Sequence, residues 1–397
     1  MLNTKKFAIS LVSIAVIVGA CGSSAVTPSS APNVVPASVV PASVAPAVAG
    51  SIALLLPENH TPRYEASDKP FFEAKIKATC ATVKYTYANA AESDATQQSQ
   101  AEAAITGGAT VLVLDPVNGA TATAIMKAAA AKNVKVISYD RLITAPGTTP
   151  DWYISFDNEK VGELQGTALL AKLTADGKTN PKLVWINGSP KDNNATLFKQ
   201  GAHKVLDGKV TIVKEDAMAN WKQEEAQAIM DGAITTLGKT GYDGVYVAND
   251  GGAAGVFASE TSKGIDPKTK PMTGQDAAID ALQRIVLGQQ YMTIYKAIQP
   301  EAEAAAMLAC SLATGSTDVP ADLKSSVSAA GVNNGTAAIK SILLTPLAVT
   351  IDGSNGTKTL EESVVTDKFY GADTVAKICD AKVTAGLPAA CTAAGVK

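Results

Sequence analysis

From Ser51 onward, short apolar runs alternate with longer helical periods, and this alternation constrains the fold more than any other property of the 397-residue chain. The runs read SIALLL, TVKYTY, TVLVLD, VKVISYD, WYISFD, KLVWIN, KVTIVKED and DGVYVAND. Read as runs buried on both faces, they predict parallel strands. Between them lie Ala-rich amphipathic stretches such as 94–106 and 119–132, which fit the crossover helices that parallel strands require. The class is α/β. A chain this long exceeds what one hydrophobic core usually serves, so two lobes are expected.

The first fifty residues read differently. Lys5 and Lys6 precede an apolar run from Phe7 to Val18, then Gly19, Ala20 and Cys21. About twelve apolar residues fall short of the roughly twenty that cross a bilayer, so residues 1–20 are expected to be an export signal. VGAC resembles a bacterial lipobox, which predicts lipidation of Cys21 and a membrane anchor. Residues 21–50 are almost wholly Pro, Ser, Ala and Val and read as an extended tether. The exported context permits disulfides. Cys379 and Cys391, twelve apart, are the expected pair, while Cys80 and Cys310 are left open. Two histidines and no CxxC offer no metal or redox site, and no cofactor is expected. A net charge of −3 gives no basic surplus for nucleic acid.

In open α/β sheets the ligand sits beyond the carboxyl ends of the strands. The polar residues that close the runs are Glu58, Asp115, Asp140 and Arg141, Asp157 and Asn158, Asn187, Asn249 and Asp250, Gln275 and Asp276, and Lys296. Singly, Asp and Asn there are also good helix caps. Together they form a rim of donors and acceptors suited to a polyhydroxylated ligand. Asp140, Asp157, Asp250 and Asp276 also supply enough acids for glycoside hydrolysis, yet each has an amide or a cation beside it rather than the apolar surroundings that make a general acid. NDGGAAG (249–255) follows a strand but lacks a phosphate-loop pattern, and no G-x-S-x-G elbow occurs.

VISYDRLI, YISFDNEKVGELQ, GSPKDNNATLF, GQDA, MTIYK and LLTPLAV occur in an order and spacing that resemble the type I periplasmic sugar-binding proteins, most closely their D-xylose-binding branch. The resemblance runs from about Ser51 to about Phe369. It implies two Rossmann-like lobes with parallel sheets, joined by a hinge of three crossings near 155–160, 276–282 and 344–350. The N-lobe would combine 51–157 with 280–345, and the C-lobe 158–279 with 346–397. It further implies a non-enzymatic, extracytoplasmic subunit that hands a monosaccharide, xylose or a related pyranose, to an ABC permease. The alternative is a sugar-sensing receptor subunit for chemotaxis or a sensor kinase.

Carried over position by position, the sugar ligands would be Arg63 and Tyr64, Asp140 and Arg141, Asn193 and Asn194, Trp221, Asn249 and Asp250, Gln275 and Asp276, and Lys296. Tyr64 stands where the family usually has a stacking tryptophan. The same fold serves LacI-type repressors, but their DNA-binding unit is replaced here by the signal and tether. YISFDNEKVGEL itself reads as the first crossing, with Asp157 or Asn158 capping the next helix and Glu159 at its positive end.

Overall fold

The computed structural model describes residues 50–397. The expected signal, Cys21 and the tether up to residue 49 lie outside the described residues. Parallel strands β1 (Ser51–Leu56), β2 (Lys84–Asn89), β3 (Val111–Leu114), β4 (Lys135–Tyr139) and β5 (Trp152–Phe156) alternate with helices α1 (Lys69–Thr79), α2 (Asp94–Thr106) and α3 (Thr123–Ala131). They build one sheet in which β1 is flanked by β2 and β3, and β4 by β3 and β5. Val111 to Leu114 and Ile52 to Leu56 are buried on both faces, as apolar runs without alternation require.

The chain leaves this sheet at Asp157, whose side chain accepts a 3.0 Å bond from the Lys160 amide and so caps α4 (Asn158–Ala175). A second parallel sheet follows, β6 (Lys182–Asn187), β7 (Thr211–Ala217) and β8 (Gly244–Val247) in the order β7-β6-β8, with α5 (Asn193–Leu206), α6 (Gln223–Leu237) and α7 (Asp250–Ser262). Asp192 and Asn249 cap α5 and α7 in the same way, so the carboxyl ends of the strands and the helix N-termini share one edge.

Beyond α8 (Ile279–Val286), the structure departs from the expected division. The second crossing was expected near 276–282, with residues from 280 in the N-lobe. Instead β9 (Met292–Tyr295) runs beside residues 274–276, with Ile294 donating to the Gly274 carbonyl and accepting from the Asp276 amide. Met292 and Ile294 share an apolar cluster with Val245 and Val247. β9 therefore stays with the second lobe, because its Met292 and Ile294 pack into the apolar cluster of the second sheet, and the crossing falls at 296–297. Only then does α9 (Ile298–Ala313) return to pack on the first sheet. There β10 (Val327–Asn333) and β11 (Ala338–Leu344) form an antiparallel hairpin, with β11 parallel to β5. None of the quoted runs pointed to β10, whose VSAAGVN is half exposed and carries no apolar block. The third crossing, at 345–346, leads to β12 (Leu347–Thr350), antiparallel to β9.

The tail carries α10 (Thr374–Ile378) and α11 (Leu387–Ala393) and packs against α8 around Leu282, Ile285, Leu360 and Phe369. Cys379 is bonded to Cys391, and Cys80 to Cys310, which ties the end of α1 to α9.

Candidate functional site

One wall of the site grows from the carboxyl ends of β1 and β4. Asp140 follows β4 with φ 52°, a strained conformation for a non-glycine residue. It is held there by β5: the Asp140 amide donates to Ile154 O (2.8 Å), and its carbonyl accepts from the Ser155 hydroxyl (2.7 Å). The Tyr64 hydroxyl donates to Asp140 Oδ2 (3.0 Å), and Arg141 Nη2 donates to that hydroxyl (3.2 Å). Arg63 donates through Nε and Nη2 to Asp68 (3.0 and 2.7 Å) and through Nη2 to Glu301 (2.7 Å), and its Nη1 lies 3.4 Å from Asp140. Arg141 also meets Glu58, Asp115 and, from the second lobe, Asp192, at 3.3, 3.6 and 3.2 Å.

These charges are buried, so each must be balanced where it stands. Burial by itself would push the Asp140 carboxyl up, but Arg63, Lys296, Arg141 and the Tyr64 hydroxyl outweigh it and hold it below its ordinary range. The balance tips the other way at Asp192, where burial outweighs Arg141 and lifts the carboxyl to about 6. Glu301 is raised as well, burial again exceeding the effect of Arg63. The phenol of Tyr64 is pushed up by burial and stays a neutral donor. Its ring, 3% exposed, lies against both guanidiniums (5.4 and 5.7 Å), so it offers its hydroxyl in place of the stacking face expected of it.

The opposite wall comes from the second sheet. Trp221 and Asp276 also sit at positive φ, 60° and 93°. Gly188 admits the Trp221 ring: a Cβ there would fall 1.9 Å from it. Asn249 lines the site while its Oδ1 caps α7. Lys296, on the second crossing, is 3.2 Å from Asp276 and faces the rings of Phe156 and Phe198. Asn194 reaches across to Asp140, donating from Nδ2 to its carbonyl (3.1 Å) and Oδ1 (3.3 Å).

Ten of the twelve residues expected as ligands thus converge on one narrow cavity, of about 20 Å³: Arg63, Tyr64, Asp140, Arg141, Asn194, Trp221, Asn249, Gln275, Asp276 and Lys296. That is room for little more than a water, because the two walls pair with each other across it. Two residues do not line it. Asn193 opens α5 beside it, while its neighbour Asp192, in the same DNNA string, takes the place. Asp250 is used elsewhere, accepting from the Ala278 amide (2.9 Å), Gln290 (2.8 Å) and Thr293 (2.9 and 3.0 Å). It packs so closely that a Cβ at Gly274 would stand 2.0 Å from its Oδ1. Thr61, Asp192 and Phe198 were missed. Asp192 was adjacent to the quoted amides, whereas Thr61 and Phe198 carry no signal of their own. Five buried atoms of cavity-lining residues make no hydrogen bond: Arg63 Nη1, Arg141 Nε, Trp221 Nε1, Gln275 Oε1 and Asp276 Oδ1. Three of them have an ion-pair contact instead, Arg63 with Asp140 (3.4 Å), Arg141 with Asp192 (3.2 Å) and Asp276 with Lys296 (3.2 Å).

Two lobes of mostly parallel sheet with a polar interlobe cleft define a class of binding protein rather than a fold for one chemistry. The family model described as "Periplasmic binding protein domain" matches residues 52–317, and the chain belongs to that family. Within it, the chain is a type I periplasmic sugar-binding protein of the xylose branch. The D-xylose-binding periplasmic protein of Haemophilus influenzae is 35% identical over 82% of this chain and 91% of its own length. That of Escherichia coli is 36% identical over 76% and 86%, and the multiple sugar-binding periplasmic receptor ChvE of Rhizobium radiobacter 33% over 70% and 79%. Among solved structures, an ABC transporter solute-binding protein of Clostridium phytofermentans with bound β-D-glucose aligns with TM-score 0.70 and 26% identity, covering 82% of this chain and 99% of that one. The curated relatives named here are periplasmic sugar-binding proteins, not enzymes.

Proposed function

We propose that this chain captures a monosaccharide, xylose or a related pyranose, between its lobes and delivers it to an ABC permease, without catalysing any reaction. The observation that carries the reading is the set of five buried polar atoms that make no hydrogen bond, drawn from both lobes and facing one cavity. Buried polar groups are nearly always satisfied, so donors and acceptors left over on two opposed walls match a ligand whose hydroxyls both donate and accept. The charged wall adds strong directional bonds, and the Trp221 ring is positioned to pack on C–H faces.

For the sugar to enter, the walls must part, and the cross-lobe contacts Arg141–Asp192 and Asn194–Asp140 are exchanged for sugar hydroxyls. Closure around the sugar then presents one rigid shape to the permease. Cys21 anchors the protein by lipid to the outer face of the membrane, and the Pro-rich tether gives it reach. The hydrolase reading finds no support at Asp140, which is held ionised beside Arg63, nor at Asp250, whose carboxyl oxygens are engaged by the Ala278 amide, Gln290 and Thr293. Calorimetric titration with a panel of pentoses and hexoses tests the proposal: a saturable heat with at least one pyranose is expected, and silence with all of them ends it. A Cys21→Ser variant is expected to be released from membranes.

A further inference from the structure

Beside the narrow cavity lies a second, of about 880 Å³, which falls within the usual range for small-molecule sites. Thr61, Arg63, Trp221, Asn249 and Asp276 line both, so the two adjoin. The larger chamber has three further walls: Ala66 and Phe71 from the first lobe, Gln283 from α8, and Tyr370 and Val383 from the tail. The tail wall is well held. The Tyr370 hydroxyl donates to Ala277 O (2.8 Å), Gln283 Nε2 donates to Lys377 O (3.0 Å), and the Cys379–Cys391 bond closes the segment that carries Val383. Val383, 57% exposed, is the one large apolar side chain left open to solvent among the described residues.

A single pyranose in the inner cavity leaves this chamber unused, and its make-up is that of a second sugar subsite: aromatic surface from Phe71 and Tyr370 with an amide and charged groups around it. We infer that the ligand extends beyond one ring, as a disaccharide or a glycoside, with one pyranose between the charged walls and the second unit in the outer chamber. Trp221 and Asp276 stand at the junction, where Trp221 Nε1 has no partner and Asp276 Oδ1 has only its ion pair with Lys296. The inference rests on the sugar-binding reading above and extends its ligand from one ring to two.

The test is calorimetric titration of the purified chain with two matched pairs, xylose against xylobiose and glucose against cellobiose. At least one disaccharide is expected to bind tenfold or more tightly than its monosaccharide. Ala66→Trp, at an exposed position, fills the outer chamber and is expected to abolish that excess while leaving monosaccharide affinity unchanged. Phe71→Ala is expected to reduce the same excess. Monosaccharide binding with no disaccharide advantage in either pair overturns the inference alone, as does an advantage that survives Ala66→Trp. Failure of all four sugars to bind overturns the sugar reading and this inference together.

Discussion

The two walls of the cleft are built on opposite plans. On the first-lobe wall, Arg63, Tyr64, Asp140 and Arg141 hold one another through buried ion pairs and hydrogen bonds that run back to Asp68, Glu301 and Glu58. On the second-lobe wall, Trp221 Nε1 and Gln275 Oε1 have no partner, and Asp276 has only its ion pair with Lys296. The first wall is therefore part of what keeps its lobe folded, with geometry already set. The second contributes Trp221 Nε1 and Gln275 Oε1, which gain partners only from a ligand. Equal proximity to the cavity thus does not mean equal roles, and stability and affinity should separate by wall.

The largest effect is expected at Arg63→Ala. Removing one cation strands Asp68, Asp140 and Glu301 in a buried site, at a cost of about 3–5 kcal/mol of folding stability. Denaturant unfolding measures this, and a loss below about 1 kcal/mol would erase the distinction between the walls.

A buried acid outside both walls sharpens the comparison. Glu260 accepts from the Tyr242 hydroxyl (2.7 Å), and burial lifts its carboxyl from 4.5 to about 7, unlike Asp140, which Arg63 holds down. A raised carboxylate pKa means that the folded state binds more protons than the unfolded chain between those two values. Stability is therefore lost as pH rises from about 4.5 to 7, by up to roughly 3 kcal/mol. Glu260→Gln is expected to remove that part of the slope, so melting curves at pH 5 and pH 8 should lie closer together in the variant than in the parent chain.

On the second wall, Gln275→Ala, which removes an unpartnered amide oxygen and leaves no charge stranded, is expected to weaken sugar binding by about 1 kcal/mol, roughly fivefold, while unfolding changes by less than about 1 kcal/mol. Asp250→Ala should show the reverse pattern, losing stability more than affinity, because its carboxylate secures the turn at Ala278 and the strand at Thr293. Titration and denaturation of this pair of variants decide whether Asp250 acts as a ligand or as a brace. The smallest effect is expected at Trp221→Phe, which keeps a ring and removes only Nε1–H, at about 1 kcal/mol of affinity and no change in melting.

Much of this was legible in the chain. The apolar runs located β1 to β8: β1, β3 to β6 and β8 are largely buried on both faces, and the edge strands β2 and β7 were legible from their β-branched and aromatic residues instead. The strand-end polar residues located six of the cavity-lining side chains, Asp140, Arg141, Asn249, Gln275, Asp276 and Lys296, because in a parallel sheet those ends meet at one edge, while Arg63, Tyr64, Asn194 and Trp221 were legible only through the family resemblance. What misled was local sequence without partners. Asp250 in ND looked like a ligand of the same kind as Asn249, yet its carboxyl oxygens are taken up by Ala278, Gln290 and Thr293, outside the narrow cavity. GQDA looked like the start of a crossing, yet MTIY, bonded to residues 274–276 and packed with the second sheet's apolar cluster, keeps the chain in the second lobe for one more strand.

By itself the sequence determined the α/β class, the edge on which polar groups gather and the supply of charge to that edge, since each follows from periodicity and composition along a local segment. Only the tertiary structure decided which of those groups pair with each other and which are left for a ligand. It also decided that the tail completes a second chamber, because both outcomes depend on distances between residues far apart in the chain, and such distances leave no trace in local pattern.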